Sequence, residues 1–174
     1  SILVNNAGAA ETAPLGKTST ALWQQMIAVN LTGAFLCTRC VLDQVRSAQN
    51  GRVIMIASTS ALKGYAYTGA YAAAKHGVLG LTRTLALELA KTTATANAIC
   101  PGFADTELVE RSIDAVTAKT GLTREAALAQ FVRDNPQGRL IRPEEVAATA
   151  LWLCDPLSGS VNGQAIALAG GEVM

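Results

Sequence analysis

The sequence predicts an α/β fold, a doubly wound parallel sheet, on three observations. Strand-like and helix-like segments alternate along the chain, as in repeated βα units with helices on both sheet faces. Val53-Ile-Met-Ile-Ala57 is continuously apolar rather than alternating, which suits a parallel strand buried on both sides. Composition agrees: 50% of residues are apolar and 16% charged, with Ala, Gly, Leu and Thr prominent. The 174 residues fit one domain and a chain of this size hides about 70% of its unfolded surface.

Ser1-Ile-Leu-Val-Asn-Asn6 reads as a buried strand without initiator Met, charged flank or cap, so a preceding part of the sheet is expected upstream. Gly8 to Ser19 is a Gly/Ala/Pro/Thr-rich loop, and Thr20 is expected to cap a helix from about Ala21 to Val45. Asn50-Gly51 punctuates the way out of it. Val53-Ile-Met-Ile-Ala57 is rich in apolar and β-branched residues and ends at Ser58. After a loop over Thr59–Thr68, a helix runs from about Gly69 to Lys91, with Ala70, Ala73, Ala74 and Gly77 permitting close approach of another element. Thr95–Ile99 is a third strand, leading into Cys100-Pro101-Gly102. The stretch 106–142 is the most charged, holding helical patterns over Glu107–Lys119 and Arg124–Val132, and is read as a lid. Pro143-Glu144-Glu145 opens a helix in the way Pro and an acidic first turn favour; it ends at Cys154 before Asp155-Pro156. Gln164–Leu168 is a last strand, closed by Gly170-Gly171.

Charge and cysteine content narrow the function classes. A net charge of +1 gives no electrostatic footprint for nucleic acid or an anionic membrane, so a small-molecule partner is expected. No run reaches the roughly 18 apolar residues of a membrane span, because Asn30, Thr32, Arg39 and Asp43 interrupt the longest candidate. Cys37, Cys40, Cys100 and Cys154 suit reduced thiols in a cytoplasmic setting. Cys37 and Cys40 spell C-x-x-C, but inside a helix and without a partner pair they read as two small helix residues, and no metal site is expected. His76, Trp23 and Trp152 are read as structural or packing residues.

Three features fall at the carboxyl ends of consecutive strands: Asn5-Asn6-Ala7-Gly8, Ser58 and Pro101-Gly102. That edge of an open α/β sheet is where ligands bind. Tyr71 and Lys75 lie four apart on one helix and share a face. A phenol of pKa about 10 is only about 0.1% ionised at pH 7, and each unit of depression needs about 1.4 kcal/mol, which a neighbouring cation supplies. Reduction of a ketone by hydride develops charge on the carbonyl oxygen and needs a proton donor there plus a second hydrogen bond. Tyr71 and Ser58 are placed to be these two. Y-x-x-x-K alone is most often a surface pair; the order of motifs gives it weight.

That order is Asn5-Asn6-Ala7-Gly8, Val29-Asn30-Leu31 with Gly33 and Phe35, Ser58, Tyr71-Ala-Ala-Ala-Lys75, Pro101-Gly102 with Thr106, Asn162-Gly163-Gln164 and Gly170-Gly171. It resembles the short-chain dehydrogenase/reductase family from the fourth strand of its Rossmann-like domain to the end, with members acting on 3-oxoacyl or 3-hydroxyacyl thioesters nearest in pattern. The resemblance implies a carboxyl-terminal portion of one such domain over 1–174, with a substrate lid over 106–142. Tyr71 would be the acid/base, and Lys75 would lower its pKa and bind the nicotinamide ribose. Ser58 would polarise the substrate oxygen, and Asn30 would hold a water linking Lys75 to solvent. A polar residue satisfying a helix bend is the rival reading of Asn30. Asn5, Ala7 and Gly8 would line the adenosine side of the cofactor; Pro101, Gly102 and Thr106 would contact its nicotinamide end, Thr106 doubling as a helix cap.

The resemblance thus implies hydride transfer between NAD or NADP and a ketone or secondary alcohol, in a homo-oligomer, a tetramer or dimer. The Gly-rich pyrophosphate turn and the residue that separates NAD from NADP have no counterpart in these residues, so the first strand-helix units are expected to be missing and the choice of nucleotide stays open. A truncated, non-catalytic structural or interaction subunit is the alternative from another class.

Overall fold

The computed structural model describes all 174 residues. Four parallel strands, β1 (Ile2–Asn5), β2 (Arg52–Ile56), β3 (Thr95–Pro101) and β4 (Ala165–Leu168), lie in the order β1-β2-β3-β4. Ile2 pairs with Arg52, Arg52 with Thr95, and Ala98 with Ala165. All carboxyl ends therefore open onto one edge. β1 is an edge strand, with Ile2 58% and Val4 44% exposed.

The period-2 geometry of β2 and β3 divides their side chains between two cores. Val53 and Met55 of β2, with Ala96, Ala98 and Cys100 of β3, face helices α2 (Gly33–Ser47) and α3 (Gly69–Leu89). Ile54 and Ile99 face the other way, against Leu153 of α6 (Pro143–Cys154). Helices thus cover both faces: the sheet is doubly wound and Rossmann-like. Alanines along the α3-facing side of β3 keep that layer thin. Gly77 does the same on α3, where a Cβ would fall 2.7 Å from Leu31 Cδ2.

The helix expected over Ala21–Val45 is three pieces: α1 (Thr20–Ile27), a π-helical segment at Ala28–Thr32, and α2. Its cap is Ser19, whose Oγ accepts from Leu22 N at 3.1 Å, and Thr20 is the first helical residue. This 28-residue stretch reaches a mean hydropathy of 1.4 over its most apolar window, so it is long and apolar enough to cross a membrane despite its polar interruptions. Here Met26, Asn30, Thr38 and Val45 form its buried positions. Trp23 and Trp152, expected as packing residues, are 42% and 51% exposed because each sits on the outer side of its helix. Trp23 lines a surface cavity of about 240 Å³ with Leu15 and Thr18.

Arg52 is 1% exposed at the start of β2. Its guanidinium has no carboxylate partner and instead donates to the Leu153, Gly51, Thr93 and Asp155 carbonyls at 2.8–3.3 Å. It thereby ties the end of α6 to the amino edge of the sheet.

Beyond β3, α4 (Glu107–Thr120) and α5 (Arg124–Val132) share a small core of Val109, Ile113 and Ala127. Gly121 turns the chain between them at φ 71°, a left-handed conformation that glycine adopts without penalty. Phe103 meets Phe131 edge-on at 5.1 Å, and Ala104 bridges to Ile141, so the segment is tied to the sheet at its base.

Candidate active site

Ser58 follows β2 in extended backbone, with its Oγ accepting from Ser60 N at 3.1 Å. One lone pair is thereby occupied, leaving the hydroxyl proton free to be donated. Tyr71 lies in the first turn of α3 and Lys75 one turn later, 5% exposed. Lys75 Nζ donates to Ile56 O at 2.9 Å and lies 5.6 Å from the centre of the Tyr71 ring. Helix and strand end therefore meet through this ammonium, because the i, i+4 spacing sets both side chains over β2.

Burial shapes the electrostatics. It raises the Tyr71 phenol above its ordinary pKa, with the neighbouring Ser58 side chain acting in the opposite sense. The depression expected from Lys75 is therefore not what this arrangement produces: the ammonium is bonded to a carbonyl, and desolvation of the phenol wins. Lys75 itself is pushed down to about 8 by burial. Cys100, on the adjoining strand, is pushed up to about 11 for the same reason.

Asn30 is 3% exposed within the π segment. Its Nδ2 donates to Met26 O at 3.0 Å and Ala9 O at 2.9 Å, while its Oδ1 accepts from Ala9 N at 3.2 Å. It joins an irregular helix turn to the loop after β1. That loop passes so close that a Cβ at Gly8 would lie 3.0 Å from Asn30 Oδ1 and 3.6 Å from Lys75 Nζ. A side chain there would press on the Asn30 amide, while Lys75 lies at ordinary contact distance. The wall continues through Ala13 N, which donates to Tyr67 O at 2.9 Å; Tyr67 holds φ 69°, unusual for a bulky residue, four positions before Tyr71.

Not every residue singled out in the sequence converges here. Ser58, Tyr71, Lys75, Asn30 and Gly8 come together. Asn5 turns its amide toward Thr38 Oγ1 at 3.0 Å and Met55 Sδ at 3.1 Å, into the helix layer. Ala7 is exposed on the loop, and Pro101-Gly102 ends β3 with Gly102 N bonded to Leu168 O at 2.9 Å. Thr106 occupies the cap position of α4, but its hydroxyl donates to Ala104 O at 3.3 Å rather than receiving a helix N–H. His76 is exposed on another face, its Nδ1 2.9 Å from Ala72 O. No three His, Cys, Asp or Glu side chains are grouped to hold a metal ion.

One pair of residues beside the Ser58 turn was not marked in the sequence. Tyr65 and Glu172, 107 residues apart, are hydrogen-bonded beside Thr59. An acidic residue directly after Gly170-Gly171, at the end of the last strand, is the one signal that could have drawn attention to the pair.

The family model described as enoyl-(acyl carrier protein) reductase matches residues 1–172. The chain belongs to the short-chain dehydrogenase/reductase family. It is 40% identical over 173 residues to D-beta-hydroxybutyrate dehydrogenase of Cupriavidus necator, covering 99% of this chain and 67% of that protein. It is 39% identical over 174 residues to 3-oxoacyl-[acyl-carrier-protein] reductase of Synechocystis, covering 99% and 65%. Among solved structures, actinorhodin polyketide ketoreductase with NADPH superposes with a TM-score of 0.89 at 33% identity, covering 98% and 66%. Sorbitol-6-phosphate 2-dehydrogenase of Erwinia amylovora superposes with a TM-score of 0.92 at 31% identity, covering 99% and 68%. The chain thus spans about two thirds of the length of its relatives in the family.

Proposed function

We propose that this protein is an oxidoreductase that moves hydride between NAD or NADP and a ketone or secondary alcohol. The observation that carries the reading is the meeting of Ser58, Tyr71 and the buried Lys75 at the carboxyl end of β2. The residues fit the nicotinamide end of such a nucleotide: Lys75 retains donors beyond its bond to Ile56 O, and Ser58 keeps a hydroxyl proton to donate, while Gly8 lets the loop that would line the adenosine side pass close to Asn30. When bound, the nucleotide supplies or accepts the hydride.

Tyr71 gives a proton to the carbonyl oxygen during reduction and takes it back during oxidation. A phenol kept above its ordinary pKa stays protonated at neutral pH, the state that reduction needs. Ser58 donates the second hydrogen bond to that oxygen, its Oγ oriented by Ser60 N. Lys75 places positive charge below the phenol and binds the nicotinamide ribose. Asn30 holds the loop after β1 and, through a water, carries the proton between Lys75 and solvent. Ala7, Gly8, Pro101, Gly102 and Thr106 line the nucleotide; Asn5 supports them by packing.

The segment 106–142 acts as a substrate lid, supported by its separate small core and its tie to the Pro101-Gly102 turn through Phe103. A 3-oxoacyl or 3-hydroxyacyl thioester is the favoured substrate class, because ketoacyl and 3-oxoacyl-acyl-carrier reductases recur among the relatives. A cytoplasmic homo-oligomer, dimer or tetramer, is consistent with four free thiols and with the exposed Phe35, Leu36 and Leu87 of α2 and α3. Light scattering tests the assembly. For the chemistry, Tyr71→Phe is expected to lower turnover of acetoacetyl-coenzyme A with NADH or NADPH by about a thousandfold, with an unchanged circular dichroism spectrum. Turnover retained by the variant would sink the assignment.

A further inference from the structure

The buried carboxylate of Glu172 has no role in the reaction just described. Its side chain is 4% exposed, on the tail after β4, whose backbone is held by the bond from Glu172 N to Ala169 O at 3.0 Å. The carboxylate accepts a hydrogen bond from the Tyr65 phenol and lies 3.0 Å from Lys63 Nζ. Lys63 also sits 4.7 Å over the Tyr65 ring. On its other side the phenol is 2.7 Å from Thr59 Oγ1. A phenol has one proton, and Glu172 takes it, so Thr59 is the donor in that second bond. Burial and the Glu172 bond both raise the Tyr65 phenol, so the chain of bonds keeps this direction across the ordinary pH range.

Thr59 is 4% exposed and adjoins Ser58 in the same short turn, the turn whose Ser60 N–H orients Ser58 Oγ. At the far side of the carboxylate, a Cβ on Gly102 would fall 3.4 Å from Glu172 Oε2. One carboxylate therefore stands between the turn that carries Ser58 and the turn that ends β3. The lysine is about a third exposed and can be replaced by water, whereas the carboxylate is buried and the phenol partly so. Burying an ionised carboxylate carries a desolvation cost that good partners must offset, and these partners sit on the Ser58 side.

We propose that Tyr65 and Glu172 are positioning residues that act through Thr59 to hold the Ser58 hydroxyl beside Tyr71. The proposal rests on the reading of Ser58 as a donor to the reacting oxygen. Removing either residue frees the Ser58 turn, while the Gly102 backbone on the nucleotide side stays held by its own bond to Leu168 O.

The test is kinetic and structural together. In the protein assayed with acetoacetyl-coenzyme A and NADPH, Tyr65→Phe and Glu172→Ala are each expected to lower kcat about tenfold while KM for the nucleotide stays within about twofold. Glu172→Gln, which keeps an acceptor for Tyr65, should recover most of the loss. In a Ser58→Ala background neither substitution should lower kcat further, since the group they position is gone. Losses that add in full to that of Ser58→Ala overturn the proposal. Independently of turnover, amide hydrogen exchange at residues 59–61 is expected to rise about tenfold in Tyr65→Phe. Unchanged exchange overturns the proposal even if the enzymatic reading stands. A Tyr71→Phe variant that stays active overturns that reading while leaving the exchange result to judge the clamp.

Discussion

Fourteen buried residues bind β2 and β3 to α2 and α3, whereas α4 and α5 hold each other through three, with the rest of their contact made by charged and partly buried side chains. The first region contains Ser58, Tyr71 and Lys75; the second reaches the sheet through Phe103, Ala104 and the pairing of Arg139 with Glu145. Stability of a local unit follows the apolar surface it alone buries, so the first region should open only with the whole molecule and the second should open by itself. The difference fits the lid role proposed for residues 106–142, over a site whose reacting groups must stay within hydrogen-bond reach.

Four measurements press on that difference. The largest effect is expected from Met55→Ala, at a fully buried position of β2: a loss of about 3 kcal/mol in global unfolding, read from denaturant titration. A variant that loses stability only locally would show the sheet to be less cooperative than its packing implies. Next comes Ile113→Ala, 1% exposed in α4. Here the amides of α4 and α5 should exchange faster while the global midpoint moves by less than about 0.5 kcal/mol. A full core-sized loss would make the two regions one unit.

The two remaining predictions concern pH. Lys75 holds its proton only to about 8 when folded, against 10.5 ordinarily, because burial disfavours the ammonium. Between those values the unfolded chain binds more protons, so wild type should gain stability relative to Lys75→Met as pH rises through this window. A flat difference would place the ammonium in water. The smallest effect is expected at Glu145, pushed down to about 2 by its hydrogen bonds to Arg139 and to Arg142 N. Its contribution is complete above 4.5 and lost as pH falls toward 2, so the advantage of wild type over Glu145→Gln should vanish there. An advantage that persists at the acid end would mean that the pair owes nothing to charge.

Much of the first region was legible in the sequence. An apolar run closed by Ser58 marked β2, and the Cys100-Pro101-Gly102 break marked the end of β3, because strand patterning and turn residues are local properties. Ser58, Tyr71 and Lys75 stood out through the order of motifs that resembles the family, which their spacing alone would not have singled out. What stayed hidden depends on tertiary placement. The carbonyl that Lys75 bonds belongs to Ile56, nineteen residues earlier, and makes the ammonium a link to β2 as well as a neighbour of the phenol. Nothing in the sequence around Arg52 announces a buried charge; only the fold supplies the carbonyls that satisfy it. Asn5 seemed to face the ligand edge, yet Thr38 and Met55 claim its amide. The Tyr65–Glu172 bond joins segments with no pattern in common.

The π segment at Ala28–Thr32 lets this helix carry one residue more than its register requires. A π turn is one residue wider than an α turn, so five π residues turn the chain about as far as four α residues. α1 and α2 therefore keep nearly the alignment of a single helix, and the surplus residue is taken up at Asn30, whose amide reaches both Met26 O and Ala9 O. Deleting one residue of the segment should leave Thr38 and Val45 in place against the sheet while closing the wide turn that aims Asn30 at the loop after β1.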